Sequence, residues 1–256
     1  MPTLLAFIPH PDDESYSFAG TIALAAKAGW ECIIECASYG ERGKRHDGGP
    51  TTPDDVAEAR ESELTASCEL VGIAPPNFWG LPDGEMHLHR GEHQRIERLF
   101  ARLQPELTLT LGSDGAYGHP DHLALHRWVS ESWHAFPNRN PLLYGAFPKG
   151  LFLPQWEKVR NKLGEPPNPP PEAIGVVAWD YEVPISTVRA IKLASIAAHR
   201  SQLPDGDPRS MFPPGIVDAL LETEHFTDAS GAIDRDTAEL LATLHSAQQS
   251  QGLAPA

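Results

Sequence analysis

The sequence predicts an α/β fold: a Rossmann-like, mostly parallel sheet flanked by helices on both faces, with a C-terminal elaboration. Three observations carry this prediction. Short apolar runs, such as Leu4 to Ile8, Trp30 to Ser38 and Leu107 to Leu111, have the length and continuity of strands buried on both faces. Between them lie segments whose apolar residues recur at helical spacing, so strands and helices alternate. The polar clusters fall where strands end, and that is where an open α/β sheet collects its ligands.

A chain of 256 residues can bury a large core. It suits one domain over 1–256, with a core over 1–147 and further strands, helices and a substrate-side loop over 148–256. Its 20 Lys and Arg against 35 Asp and Glu give a formal charge of -15 with no basic block. Nucleic acid and anionic membrane surfaces are therefore not expected partners, whereas a small molecule is. Three cysteines, Cys32, Cys36 and Cys68, form no Cys-x-x-Cys pair and no even framework, and read as small core residues. With no basic leader and no apolar run of the roughly 18 residues a membrane span needs, a cytoplasmic protein is expected. The acidic surface permits a homo-oligomer.

In chain order, Leu4 to Ile8 is the first strand, stopped by Pro9 and Pro11. Ser15 to Gly29 has Phe18, Ile22, Leu24, Ala25 and Ala28 in helical spacing and a glycine stop. Trp30 to Ser38 is a second strand that empties into the Gly40-Glu41-Arg42-Gly43 loop, which contains neither a dinucleotide nor a Walker phosphate pattern. Thr52-Pro53-Asp54-Asp55 opens a helix that runs to Gly72. Asn77 to Leu81 is a short strand, and Pro82-Asp83-Gly84 is a turn. A helix with Ile96, Leu99, Phe100 and Leu103 precedes the strand Leu107 to Leu111, and a helix begins at Pro120.

Leu142 to Phe147 is a further strand. Pro148 to Gly175, with its Pro-rich 165–171 stretch, reads as an extended loop covering the site or an edge. Val176 to Glu182 is expected as strand, a helix follows from Pro184, Ile216 to Leu221 is a short helix and His225 to Thr227 a last strand. Asp234 to Gln248 is a terminal helix, and Gly252 onward is expected to fray.

Two stretches carry the chemistry. Ile8-Pro9-His10-Pro11-Asp12-Asp13-Glu14 places an imidazole and two adjacent carboxylates at a strand's carboxyl end. Neighbouring residues on extended backbone point apart, so one carboxylate can bind a cation while the other faces a water. Read alone, the stretch could also be a polar turn capping the next helix. The second stretch, Gly118-His119-Pro120-Asp121-His122, opens a helix at another strand end. There His119 and His122 share a face, and Asp121 can fix an imidazole's tautomer. His126, one turn on, lacks the glutamate of a zinc-protease motif and reads as a partner or surface residue. Two imidazoles and a carboxylate with an open position suit catalytic zinc. The leftover carboxylate can take a proton from water, and the remaining histidine can donate to an oxyanion. Those are the parts for hydrolysing an amide.

These paired motifs, in this order and spacing, resemble the signature of the PIG-L/LmbE-like N-acetylglucosaminyl deacetylases. The likeness extends to Gly40-Glu41-Arg42-Gly43, to Arg60 and Glu63, and to Lys192 with Ala198-His199-Arg200-Ser201-Gln202. Pro9 stands where the family usually has alanine. The resemblance implies Zn2+, or Fe2+ or another divalent cation, held by His10, Asp13 and His122. It further implies Asp12 as general base and later acid, and His119 as oxyanion donor oriented by Asp121. Arg60, Asp83 and Tyr117 would contact substrate. The implied activity is removal of acetyl from an N-acetylglucosaminyl conjugate, a precursor of a thiol such as bacillithiol or mycothiol being one candidate. The alternatives are an amidase of the same fold acting on another amide, such as a thiol S-conjugate or natural product, and a non-catalytic sugar-binding protein.

Overall fold

The computed structural model describes residues 1–137, 139–163, 169–212 and 214–251. Five parallel strands form the first part of the sheet: β1 (Thr3–Ile8), β2 (Glu31–Cys36), β3 (Asn77–Phe78), β4 (Leu107–Leu111) and β5 (Leu142–Ala146). Two more, β6 (Tyr181–Pro184) and β7 (Thr223–Asp228), extend it, with β7 antiparallel to both β5 and β6. The spatial order is β3-β2-β1-β4-β5-β7-β6. β1 is therefore central, and the order reverses beside it, so its carboxyl end opens into the crevice between β1 and β4.

Burial on both faces follows from the pleat. Leu4, Ala6 and Ile8 of β1 join one core, built with Phe18, Ile22, Leu64, Val188 and Leu241. Leu5 and Phe7 join the opposite core, with Ile96, Phe100, Leu125 and Trp128. Helices α1 (Asp13–Ser17), α2 (Ala19–Lys27), α3 (Pro53–Val71) and α8 (Arg189–Ala198) serve the first face, and α10 (Arg235–Gln251) packs on α2. Helices α4 (His93–Leu103) and α6 (Pro120–Ala135) serve the second, with the short turn α5 (Gly115–Gly118) leading into α6. Helices α7 (Leu153–Leu163) and α9 (Ile216–Leu220) flank a third cluster, which holds Tyr16, Phe147, Phe152, Trp156 and Phe212 over the carboxyl end of the sheet. The three cysteines are free and buried on the first face.

Three elements differ from the sequence expectation. The single helix over 15–29 is broken at Phe18, where φ is -134°, into α1 and α2. The backbone N–H groups of Gly20 and Thr21, at the start of α2, donate to the Glu224 carboxylate at 2.8 and 2.7 Å. A long-range partner thus supplies the anion that a helix N-terminus favours. Within the expected loop 148–175 lies α7, which buries Trp156 beside Phe152 just before its start, too few apolar positions to give a helical period. The strand expected over Val176 to Glu182 is shifted: Val176 makes only an isolated bridge to Pro148, and the paired strand is Tyr181–Pro184 at the sheet edge, where a proline is tolerated. Residues 165–168 and 252–256, expected as loop and frayed end, lie outside the described residues.

Candidate metal centre

Pro9 and His10 leave β1 at its carboxyl end. The Pro9 carbonyl accepts from the Ser38 N–H and hydroxyl, both at 3.0 Å, which fixes the exit path. His10 then turns its Nδ1 toward Asp13 Oδ2 (3.4 Å) and His122 Nε2 (3.3 Å), while Asp13 Oδ1 lies 3.5 Å from His122 Nε2. Donor atoms bound at about 2.0–2.1 Å around a tetrahedral ion stand about 3.3 Å apart; the two imidazole nitrogens meet that spacing, and Asp13 approaches each of them through a different carboxylate oxygen.

Hydrogen bonding sets the tautomers. His122 Nδ1 meets the Gly115 carbonyl at 3.0 Å, so its proton sits there and Nε2 presents a lone pair. His10 Nε2 faces Asp83 Oδ1 at 3.1 Å and Asp121 Oδ2 at 3.3 Å, which draws its proton to that side and leaves Nδ1 toward Asp13 and His122. Two imidazole lone pairs aimed at each other beside a carboxylate call for a positive charge between them. Burial opposes the charging of His10, yet Asp121, Asp13 and Asp83 together raise its pKa well above the usual value. Asp13 is held down to about 2, burial being outweighed by His122 and His10.

Two groups of described residues could hold a metal ion: His10 with His119 and His122, and His10 with Asp83 and Asp121. In the second group the carboxylates are already engaged. Asp121, fully buried, accepts from the backbone N–H of Gly84 at 2.6 Å and of Met86 at 3.0 Å, and Asp83 accepts from that of Arg42 at 2.9 Å. Asp83 and Asp121 thus hold the Nε2 side of His10, and its Nδ1 side opens toward Asp13 and His122. The sequence-based orientation of His119 by the Asp121 side chain changes accordingly. That carboxylate serves His10, and it is the Asp121 backbone N–H that donates to His119 Nδ1, at 3.2 Å. Burial and the nearby His10 and His122 lower the His119 pKa to about 3, so its neutral ring carries the proton on Nε2 as a donor.

Asp12 stands beside these groups in an unusual conformation, with φ 113° and ψ -25°. A non-glycine residue there costs about 1–3 kcal/mol unless its surroundings hold it. Its carboxylate is ion-paired to Arg60 Nη2 at 3.2 Å, and burial, opposed by that pairing, pushes its pKa up to about 6. Arg60 itself is buried on α3. Its Nη1 donates to the Gly40 carbonyl at 2.9 Å and its Nη2 to the Pro11 carbonyl. Gly40 has φ 64°, and any Cβ there would strike the guanidinium, which accounts for a glycine in that loop. Arg60 and Asp83, expected as substrate contacts, here meet Asp12 with its loop and His10 respectively.

Tyr117 is half-buried, with its ring 5.0 Å from that of His122 and 6.2 Å from that of Phe152. It lines a cavity of about 30 Å³ together with Asp12, Asp13, Tyr16, Phe152 and Phe212. His126 lies behind the site, its Nδ1 on the Leu111 carbonyl at 2.9 Å. Sequence reasoning gave no role to Glu14, Ser67, Ser195 or Glu224, which form buried polar networks beneath α1 and α2. Glu14 lay within the motif itself, and His199 within the matched stretch near 200, but only the fold joins them.

The His and Asp cluster thus lies at the carboxyl end of β1 in a mostly parallel, doubly flanked sheet, where folds of this class collect their ligands. A family model described as PIG-L, GlcNAc-PI de-N-acetylase, matches residues 5–133, about half the chain, and the chain belongs to that family. Among curated proteins it is 28% identical over 254 residues to a 1D-myo-inositol 2-acetamido-2-deoxy-alpha-D-glucopyranoside deacetylase of Saccharomonospora viridis, covering 87% of this chain and 93% of that one. It is 32% identical over 147 residues to a probable N-acetyl-alpha-D-glucosaminyl L-malate deacetylase 2 of Bacillus anthracis, covering 56% and 65%. The fold matches the conserved protein TT1542 of Thermus thermophilus with a TM-score of 0.64 at 22% identity, over 91% of this chain and 97% of that one.

Proposed function

We propose that the chain removes the N-acetyl group from an N-acetylglucosaminyl conjugate, using a divalent cation held by His10, Asp13 and His122. The observation that carries this reading is the approach of His10 Nδ1, His122 Nε2 and the Asp13 carboxylate to within 3.3–3.5 Å of one another, Asp13 turning a different oxygen to each imidazole, beside a fourth group, Asp12, whose one ion-pair partner among the described residues is Arg60. Such a cation supplies Lewis-acid polarisation of a carbonyl and acidifies water to a pKa of about 7. Zn2+ and Fe2+ both suit imidazole with carboxylate.

The chain's own residues do the remainder. Asp12 takes the proton from the attacking water and returns it to the amine, which must leave protonated. Arg60 keeps one Asp12 oxygen fixed, so the proton transfers run through a carboxylate with a single orientation. Neutral His119 donates from Nε2 to the oxygen that gains negative charge. Tyr117, Phe152 and Phe212 shield the bond from bulk water. The relatives named for glucosaminyl-inositol and glucosaminyl-malate deacetylation support an amino-sugar conjugate as the substrate class.

The test is acetate release from a panel of N-acetylglucosaminyl conjugates by protein stripped with chelator and reloaded with Zn2+ or Fe2+. Release that depends on metal, and that is lost in Asp12→Asn, is the expected result. A reloaded protein that frees acetate from none of the panel overturns the reading.

A further inference from the structure

We infer that Glu14 is a positioning residue for Asp12, acting through the main chain. Glu14 Oε2 accepts the Asp12 backbone N–H at 3.0 Å. Its other oxygen, Oε1, is fixed by the Ser67 hydroxyl at 2.7 Å and by His199 Nε2 at 2.7 Å. Ser67 in turn meets the Ser195 hydroxyl at 2.7 Å. Glu14, Ser67, Ser195 and His199 are all buried, and they come from α1, α3 and the end of α8, so the carboxylate is clamped from two other helices.

What the clamp holds is a backbone that L-residues rarely adopt, the φ of 113° at Asp12. That rotation separates the directions of the Asp12 and Asp13 side chains. Asp13 turns to His10 and His122, and Asp12 turns to Arg60. Relaxed to an ordinary negative φ, residue 12 would swing its carboxylate away from its neighbour's site. The inference rests on Asp12 as the base in the proposed function.

The experiment compares Glu14→Gln with Glu14→Ala in metal-reloaded protein. Glutamine keeps an oxygen for the Asp12 N–H, so its kcat stays within about threefold of the parent. Alanine removes the acceptor, and a carboxylate displaced by about 1 Å loses about 100-fold in kcat, with KM and bound metal per chain unchanged. In metal-free protein, hydrogen exchange at the Asp12 amide quickens in Glu14→Ala. Alanine with near-parental kcat, or a loss that follows departure of the metal, overturns the positioning role. Should Glu14→Ala not fold, Glu14→Asp decides: the shorter carboxylate cannot reach the Asp12 N–H from the same backbone, so a kcat loss beyond about tenfold with metal retained supports the role, and near-parental kcat overturns it. Asp12→Asn separates the two claims. If it turns over normally the base assignment falls, and if it is inactive while Glu14→Ala is active only the positioning role falls.

Discussion

Asp12 and Asp13 are neighbours in sequence and opposites in charge behaviour. Burial tends to neutralise both, but Asp13 faces two imidazoles and is held to about 2, whereas Asp12 faces one guanidinium and rises to about 6. A carboxyl group that ionises near neutrality suits a proton carrier, and one that stays ionised suits a ligand. Replacing Asp12 by Asn is therefore expected to lower kcat by about 10²–10⁴-fold with metal retained. Replacing Asp13 or His122 by Ala is expected to abolish stoichiometric metal binding, measured by elemental analysis after dialysis. His119→Ala is expected to lower kcat by about 10²–10³-fold while leaving metal content intact, since it removes the proposed oxyanion donor. Metal content thus separates the two kinds of role.

Among the elements, α2 shows what a sequence reading reaches and what it misses. Its apolar spacing was legible, as were β1, β2, β4, β5, α3 and α6, because those segments bury residues at a regular period. The break before α2 was not, because its cause, Glu224, lies about two hundred residues away and enters only when β7 packs beside β5. Glu224 also accepts the Thr21 hydroxyl at 2.6 Å and the Lys192 ammonium at 2.6 Å, and Lys192 is fully buried. Glu224→Ala strands that ammonium and two helix N–H groups, and is expected to cost about 3–5 kcal/mol in denaturant unfolding. The proposed metal donors lie in two short motifs that the fold brings together, whereas the turned backbone at Asp12 and the pairing of Arg60 with it were set by tertiary contacts.

His199, just past α8, gives that element a pH signature. Burial disfavours its charged form, but Glu14 outweighs burial and raises its pKa above 6.5. A raised folded value stabilises fully below the unfolded pKa and fades as pH climbs through the folded one. In chelator-treated protein the stability lead of the parent over His199→Gln is therefore expected to shrink as pH rises above the ordinary imidazole value of about 6.5. A lead that grows over that range contradicts the pairing.

For the molecule as a whole, a cation that binds only the folded chain adds its binding free energy to stability. At a thousandfold excess over Kd the gain is about 4 kcal/mol, so chelation is expected to lower Tm and readdition to restore it. No helix among the described residues is long and apolar enough to cross a membrane, and each face of the sheet carries an apolar core. All three thiols sit in one of those cores. Burial pushes the Cys32 thiol up to about 12 and raises those of Cys36 and Cys68 as well. A thiol held so far from its thiolate is a poor nucleophile, so alkylating reagents must wait for the layer to part. The labelling rate of the native chain then becomes a clock for how often that half of the molecule breathes open, with the three sulfurs keeping common time.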